Sequence, residues 1–290
     1  VLGHIEISHY NEIMKSIFME GIMIKSLTIN KFRQFNKTEV YLGNYLTCIA
    51  GKNATGKSSL LAMIGNSCEL VPPRSLKPFI KKSFRSDFSD IFKGSLTYDP
   101  SASNLFRVNF EEGLTEYNYR DFRVTWQKKR NGGDERRFRV IPYYKDDKGK
   151  THSKKAELPV IYLTLSRLLP FGEIEESEPI AMNLSNDEKI WFNEKYQKIF
   201  TPLHTINSLD SYLGNNKTSV GINTDSYDSR NNSAGQDNLG QLLLVLISFM
   251  RLKKQLVGYK GGILLVDEID AALHPYAQIK LIDLLTEFSR

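Results

Sequence analysis

Residues 51–59 read GKNATGKSS and fit the pattern G-x-x-x-x-G-K-[ST] with Gly51, Gly56, Lys57 and Ser58. The phrase before it, YLTCIA (Tyr45 to Ala50), reads as a buried strand. The phrase after it places Leu60, Leu61 and Ile64 at helical spacing. A chain of this length matches the pattern by chance roughly 1% of the time at ordinary glycine frequencies. Chance does not also supply the strand and the helix. The chemistry explains the residue types. Backbone N–H groups must converge on a phosphate, and only glycine permits the turns and the close approach. The helix adds its positive end. The cradle is therefore expected from Gly51, Lys52, Asn53, Ala54, Thr55, Gly56, Lys57, Ser58 and Ser59. Lys57 would set its ammonium against the β and γ phosphates of a nucleotide, and Ser58 would offer its hydroxyl to Mg²⁺. A glycine-rich turn with a solvated lysine is the plainer alternative.

A second phrase, ILLVDE (Ile263 to Glu268), is four apolar residues followed by two carboxylates. Asp267 is placed to hold Mg²⁺, directly or through water. Glu268 is placed to orient and polarise an attacking water. Lys57 and Glu268 are thus the candidate catalytic residues, and Ser58 and Asp267 the candidate metal ligands. Apolar strands often end in acids, so this phrase gains its weight from the phosphate loop in the same chain. A third phrase, SAGQD (Ser233 to Asp237), stands before an amphipathic helix expected over about Leu239 to Leu256. By itself it reads as an ordinary helix cap.

The remaining chain sorts around these motifs as an α/β fold of the P-loop NTPase class. Ile24, Leu27 and Ile29 mark a first strand and Val40 to Leu42 a second. From Val71 to about Tyr162 the character changes: Pro72 and Pro73 break the chain, and turn signals recur at Asp99-Pro100, Gly132-Gly133 and Asp146 to Lys150. Alternating runs (LFRVNF, FRVTWQ, RFRVIPYY) lie between them. This is a β-rich lobe inserted into an α/β core. VIYLTLS (Val160 to Ser166) returns to a core strand, and Ser185 with Glu188 makes a capping box for a helix that stops before Pro202. A polar, Asn-rich loop is expected from about Leu213 to Asn238, and a last helix after His274-Pro275. The boundaries are a leader over 1–22, upstream or poorly ordered, and one domain over 23–290. Its parts are 23–70 with the phosphate loop, 71–160 as the insert, 161–256 with a helical subdomain, and 257–290 with ILLVDE.

Composition excludes several classes. With 41% hydrophobic and 25% charged residues the chain suits a globular protein, not a disordered or fibrous one. The longest apolar stretch, Leu242 to Met250, falls short of the roughly 20 residues of a membrane helix, so no membrane partner is expected. Cys48 and Cys68 sit in apolar surroundings without CxxC spacing and suggest neither disulfide nor zinc, so a reducing cytoplasm is the expected location. The five histidines are scattered and form no zinc-site pattern with the two cysteines. The net charge is +6, yet Arg120 to Lys155 alone holds 13 Lys or Arg against 5 Asp or Glu. That stretch is either a solvated basic hairpin or a nucleic-acid contact.

The order of phosphate loop, SAGQ, apolar helix and ILLVDE resembles the ABC-type ATPases, in particular their RecF, SMC and OLD branch. The resemblance implies an ABC-ATPase-like head that binds ATP and Mg²⁺ and works as a homodimer. In that family the SxGQ-type phrase caps the γ-phosphate held by the opposite subunit, a role that would fall to Ser233, Gly235 and Gln236; Ala234 stands where glycine is more usual. INKFRQF (Ile29 to Phe35) resembles the family's xNFRxF opening, which implies that Arg33 lies near the nucleotide or DNA. DEIDAALHP (Asp267 to Pro275) resembles the DEPExxLHP ending, which makes Ala272, Leu273 and His274 interface candidates. His274 reads equally well as a helix-start residue. The set looks like the AAA-labelled, ABC-like ATPases of bacterial antiphage systems, such as Septu PtuA-type and OLD-type proteins. The family usually carries a further strand and a switch histidine after the last helix; the sequence stops at Arg290 before that point, so a truncated ending is expected, and no Toprim nuclease domain or glutamine loop is identifiable. The implied function is an ATP-hydrolysing dimer acting on DNA or controlling a nuclease partner, in genome maintenance or antiphage defence. The alternative is a nucleotide-gated module that restrains a toxin or effector with little turnover.

Overall fold

Leu27 and Ile29 of strand β1 (Met23–Phe32) point inward while Thr28 and Asn30 do not, an alternation that is broken near Ile24 to Ser26, where the register with the neighbouring strand shifts. The computed structural model describes residues 21–71, 76–81, 83–111, 119–128, 136–168, 179–200, 205–213 and 218–290; all but the last two residues of the expected leader lie outside them. β1 pairs antiparallel with β2 (Phe35–Tyr41) through Leu27↔Val40 and Ile29↔Thr38. Helix α1 (Lys57–Ser67) follows and buries Leu60, Met63 and Ile64 on one face. Next come β3 (Cys68–Leu70), β4 (Phe84–Arg85) and the short helix α2 (Phe88–Ile91). Three long strands, β5 (Ala102–Glu111), β6 (Tyr119–Lys128) and β7 (Arg136–Lys145), lead to a short β8 (Thr151–His152).

These β-rich residues extend the sheet that β1 and β2 begin. β5 lies beside β1, with Leu27↔Val108 and Ile29↔Phe106, and the sheet order is β2-β1-β5-β6-β7-β8. Phe106, Val108, Phe122, Val124, Phe138 and Val140 all bury on the face that carries Leu27 and Ile29. A shared apolar face needs a shared cover, and Met63 and Ile64 of α1 pack into the same cluster.

After β9 (Ala156–Glu157), strand β10 (Val160–Leu163) pairs in parallel with β14 (Ile263–Val266), Val160 opposite Ile263 and Leu163 opposite Val266. β10 serves two cores. Val160 and Tyr162 join the cluster under the antiparallel sheet, and Ile161 and Leu163 join a second cluster built around α4 (Ala234–Gln255). A strand covered on both faces is apolar throughout, which is why VIYL does not alternate in polarity. The second cluster also takes in α3 (Asn186–Ile199), α5 (Pro275–Ser289) and β13 (Thr218–Thr224), which pairs with β12 (Ile206–Leu213); β11 (Pro179–Ala181) edges that sheet. α3 starts on the expected capping box: the Ser185 hydroxyl accepts from the Glu188 amide, and the Glu188 carboxylate accepts from the Ser185 amide. Arg251 binds that carboxylate and holds it below the ordinary range.

Four expectations are corrected. Tyr45 to Ala50 is not a buried strand; Tyr45 is 56% and Leu46 42% exposed. The segment has no ladder partner among the described residues, and a strand needs one. β14, with β10 as its one neighbour among the described residues, is correspondingly only half-buried. Cys48, in the same segment, is exposed rather than apolar in its surroundings; Cys68 is buried, which pushes its thiol up to about 12. The Asn-rich stretch contains strand β13, whose Val220 and Ile222 are wholly buried against α4. α4 is buried on nearly every side from Leu239 to Phe249 instead of showing one polar face. No helix among the described residues is long and apolar enough to cross a membrane.

Candidate nucleotide-binding site

The phosphate loop ends where Gly56 adopts φ 94°, a left-handed conformation that turns the chain into α1. A Cβ at Gly56 would also overlap Gln34 and lie 2.6 Å from the Phe35 ring. The turn between β1 and β2 therefore sits directly on the loop. No side chain caps α1, and no acid lies in its first turn. Its leading amides and its positive end are left for an anion. Gly51, Lys52, Asn53, Ala54 and Thr55 are exposed, and the loop is braced by Thr55, whose hydroxyl donates to the Lys52 carbonyl at 2.8 Å. The Lys57 ammonium donates to the carbonyls of Gly51 and Lys52 at 2.7 and 3.0 Å. Phosphate oxygens would offer it stronger, charged acceptors. Ser59 follows in the first turn of α1.

The parallel strand pair delivers the acids. The Asp267 amide donates to the Leu163 carbonyl at 3.1 Å, continuing the ladder one residue past β14. Asp267 is buried, and its Oδ2 accepts from both the Ser58 hydroxyl and the Tyr162 hydroxyl at 2.9 Å. Burial and the neighbouring Asp267 charge push the Tyr162 phenol up, so it stays a donor. A hydroxyl and a carboxylate in contact at the loop's first helical turn are the oxygen ligands that Mg²⁺ prefers, and these residues fit that ion. Glu268 has an exposed side chain and a left-handed backbone, φ 47°. That conformation is uncommon outside glycine and aims the residue out of the strand direction.

What holds Glu268 there is Arg167. This arginine is 2% exposed, and its guanidinium donates to the Glu268 carbonyl at 2.7 Å, the Thr164 carbonyl at 3.0 Å and Asn238 Oδ1 at 2.8 Å. Asn238 in turn donates to the Ala271 carbonyl at 3.2 Å. One buried cation thus ties the segment after β14 to the first turn of α4. Sequence reasoning missed Arg167, Tyr162, Asn238 and the Gln34–Phe35 turn. Only the position of Arg167 just past a core strand hinted at burial.

Ser233 caps α4 in a reciprocal box, its hydroxyl accepting from the Gln236 amide at 3.3 Å and the Gln236 Oε1 accepting from the Ser233 amide at 2.8 Å. Gln236 also donates to the Tyr227 hydroxyl at 2.5 Å. Among the described residues, no hydrogen bond of Ser233 or Gln236 reaches the phosphate loop of the same chain. Gly235 lies against the Ala272 carbonyl, where a Cβ would collide with the oxygen. Gly235→Ala is therefore expected to lose about 1–3 kcal/mol of stability by overpacking, despite alanine's better helix propensity. Urea unfolding at or above wild-type stability would contradict the close approach. Leu273, expected at an interface, is 7% exposed and packed in the α4 core, so it is not available to a partner. His274 is the N-cap of α5, its Nδ1 accepting from the Tyr276 amide at 3.3 Å. Arg33 is engaged with Asp99, donating to Oδ1 and Oδ2 at 3.2 and 3.1 Å, and its guanidinium lies 4.2 Å from the Phe92 ring centre.

The family model described as AAA domain matches residues 26–243, a span that includes the phosphate loop and reaches into α4. Among solved structures, "Structure of the recombination mediator protein RecF-ATP in RecFOR pathway" is similar at 15% identity and a TM-score of 0.41, covering 96% of this chain and 91% of that one. No curated protein matches the sequence.

Proposed function

The chain belongs to the AAA domain family, and from that premise we propose that it is an ABC-type ATPase whose two nucleotide sites are shared between two copies of itself. It would act on DNA or control a nuclease partner, in genome maintenance or antiphage defence. The observation that carries the nucleotide reading is the Ser58–Asp267 hydrogen bond, which joins motifs 209 residues apart. That bond sets a hydroxyl and a carboxylate, oxygen ligands of the kind Mg²⁺ prefers, beside an uncapped helix start suited to a phosphate, which supports the reading.

Each residue then has a task. The loop amides and Lys57 bind and orient the triphosphate. Mg²⁺, when bound at Ser58 and Asp267, supplies charge neutralisation to the phosphates. Glu268 accepts a hydrogen bond from the attacking water and points its lone pair at that proton. Arg167 keeps Glu268 in place through its carbonyl. Positioning and fixed charge, not covalent chemistry, lower the barrier. Ser233, Gly235 and the start of α4 would meet the γ-phosphate of the opposite copy, so ATP favours the closed pair because it binds that state better.

Ser233→Arg separates the two halves of this reading. The variant is expected to bind ATP as a monomer with unchanged affinity, while its bulk at the joint weakens ATP-driven pairing about tenfold or more. Light scattering with a non-hydrolysable analogue reads pairing, and calorimetry reads binding. Normal pairing by the variant would end the shared-site reading. Hydrolysis that rises with added DNA, and loses that rise as salt increases, would support action on DNA; hydrolysis indifferent to DNA would oppose it.

A further inference from the structure

The outward face of the antiparallel sheet is basic, and the pairing register shows how its charges are set out. Arg107, Asp121 and Tyr143 share one cross-strand row, Arg123 and Ile141 the next, Thr125 and Arg139 a third, and Gln127 and Arg137 a fourth. Steps of two residues separate the rows, about 6.8 Å each, so the four rows span about 20 Å. All four arginines are exposed. Asp121, the carboxylate of the first row, is already neutralised by Arg107, which grips both its oxygens at 2.7 and 2.9 Å. Arg123, Arg137 and Arg139 have no carboxylate partner among the described residues; Arg139 donates to Gln127 at 2.8 Å, and Arg123 lies 5.9 Å from the centre of the Tyr143 ring. Tyr119 and Tyr143 stand on the same face, and the Arg107 guanidinium lies 4.3 Å from the Tyr119 ring centre. The opposite face of the same strands is the hydrophobic core. Of the basic stretch from Arg120 to Lys155, Arg123, Arg137 and Arg139 thus stand together on one side of a rigid sheet, whereas Arg120 is buried and Lys155 is bound to Asp87.

We infer that this face of β5, β6 and β7 is a nucleic-acid-binding surface, with the arginine rows on the phosphodiester backbone. The inference rests on the DNA-directed reading above for its biological sense, while its site lies apart from the nucleotide loop. Arginine forks match phosphate and carboxylate oxygens alike, and two further features favour nucleic acid over an acidic protein. The rows repeat at a spacing on the order of one nucleotide of extended backbone. Tyrosines interleave with the arginines, as a surface for stacking bases requires. The sheet also runs without a break from these rows to β1 and β2, whose turn touches Gly56.

The test is Arg123→Glu, Arg137→Glu and Arg139→Glu combined in the full chain, with fluorescence anisotropy on labelled single-stranded and duplex oligonucleotides of mixed sequence. Affinity is expected to fall on the order of 100-fold, and the slope of log affinity against log salt to shrink by about 2–3. The matching Gln triple removes charge without adding repulsion and carries the test if the Glu triple does not fold. A charge-matched control, Lys189→Glu with Lys253→Glu and Lys254→Glu on α3 and α4, is expected to keep wild-type affinity. Preference for single strands would mean that the tyrosines stack bases, and preference for duplex that only the backbone is held; both support the inference. Equal affinity and salt slope in the sheet variant, no binding by the wild-type chain, or equally tight binding of poly-glutamate would overturn it. Binding of a fluorescent ATP analogue is measured on the same samples. Loss there with oligonucleotide binding intact would strike the nucleotide reading alone, and the reverse would strike this one alone.

Discussion

Lys57→Ala is expected to weaken Mg-ATP binding about 100-fold or more, to the point where calorimetry detects no heat at ordinary protein concentrations. The ammonium is the only side-chain cation of the loop that reaches back over it, donating to the Gly51 and Lys52 carbonyls. Charge-assisted bonds to a phosphate contribute about 1.5–3 kcal/mol each, and one ammonium can make more than one. Its present partners are exposed carbonyls that water can satisfy, so the folded chain should lose no more than about 0.5 kcal/mol. An unchanged melting curve beside lost binding would isolate the effect to the site. Tight ATP binding by the variant would show that the loop amides and α1 suffice, and would remove Lys57 from the assignment.

Glu268→Gln is expected to leave ATP affinity within about twofold while slowing hydrolysis on the order of 10²–10⁴-fold, the usual worth of a positioned base. The amide is the same size and keeps a hydrogen-bond acceptor but cannot take a proton. The swap should also leave the backbone alone, because the left-handed turn at Glu268 is secured through its carbonyl by Arg167 and the Ala271 amide, not through its side chain. Closed pairs should then accumulate with ATP, visible by light scattering. Steady-state turnover at the wild-type rate would mean that another group serves the water.

The parts of the site that were readable from residues are those whose cause is local. GKNATGKSS demands its own turn and helix, SAGQ and S-x-x-E cap the helices that follow them, and ILLV before two acids makes a strand end wherever it lands. The β-rich stretch was equally readable, since LFRVNF and RFRVIPYY alternate. Its place in the sheet was not, because pairing with β1 is a long-range choice made by a shared apolar face. YLTCIA misled for the converse reason: its apolar residues suit a strand, but strands exist only with a neighbour, and this segment has none among the described residues. β13 was hidden because Val220 and Ile222, which bury against the core, stand in a run otherwise polar. Arg167 was hidden because a buried arginine is identified by its acceptors, and those come from Thr164, Asn238 and Glu268, up to 101 residues away.

β10 contributes Val160 and Tyr162 to one hydrophobic body and Ile161 and Leu163 to the other. Four consecutive residues thus act as a rivet through two plates. A slip of one position along the strand would exchange the two sets at once, drawing the Tyr162 hydroxyl off Asp267 and pushing it among leucines. The two hydrophobic bodies therefore share one register, and the strand that sets it also carries the hydroxyl bound to the acid beside Ser58.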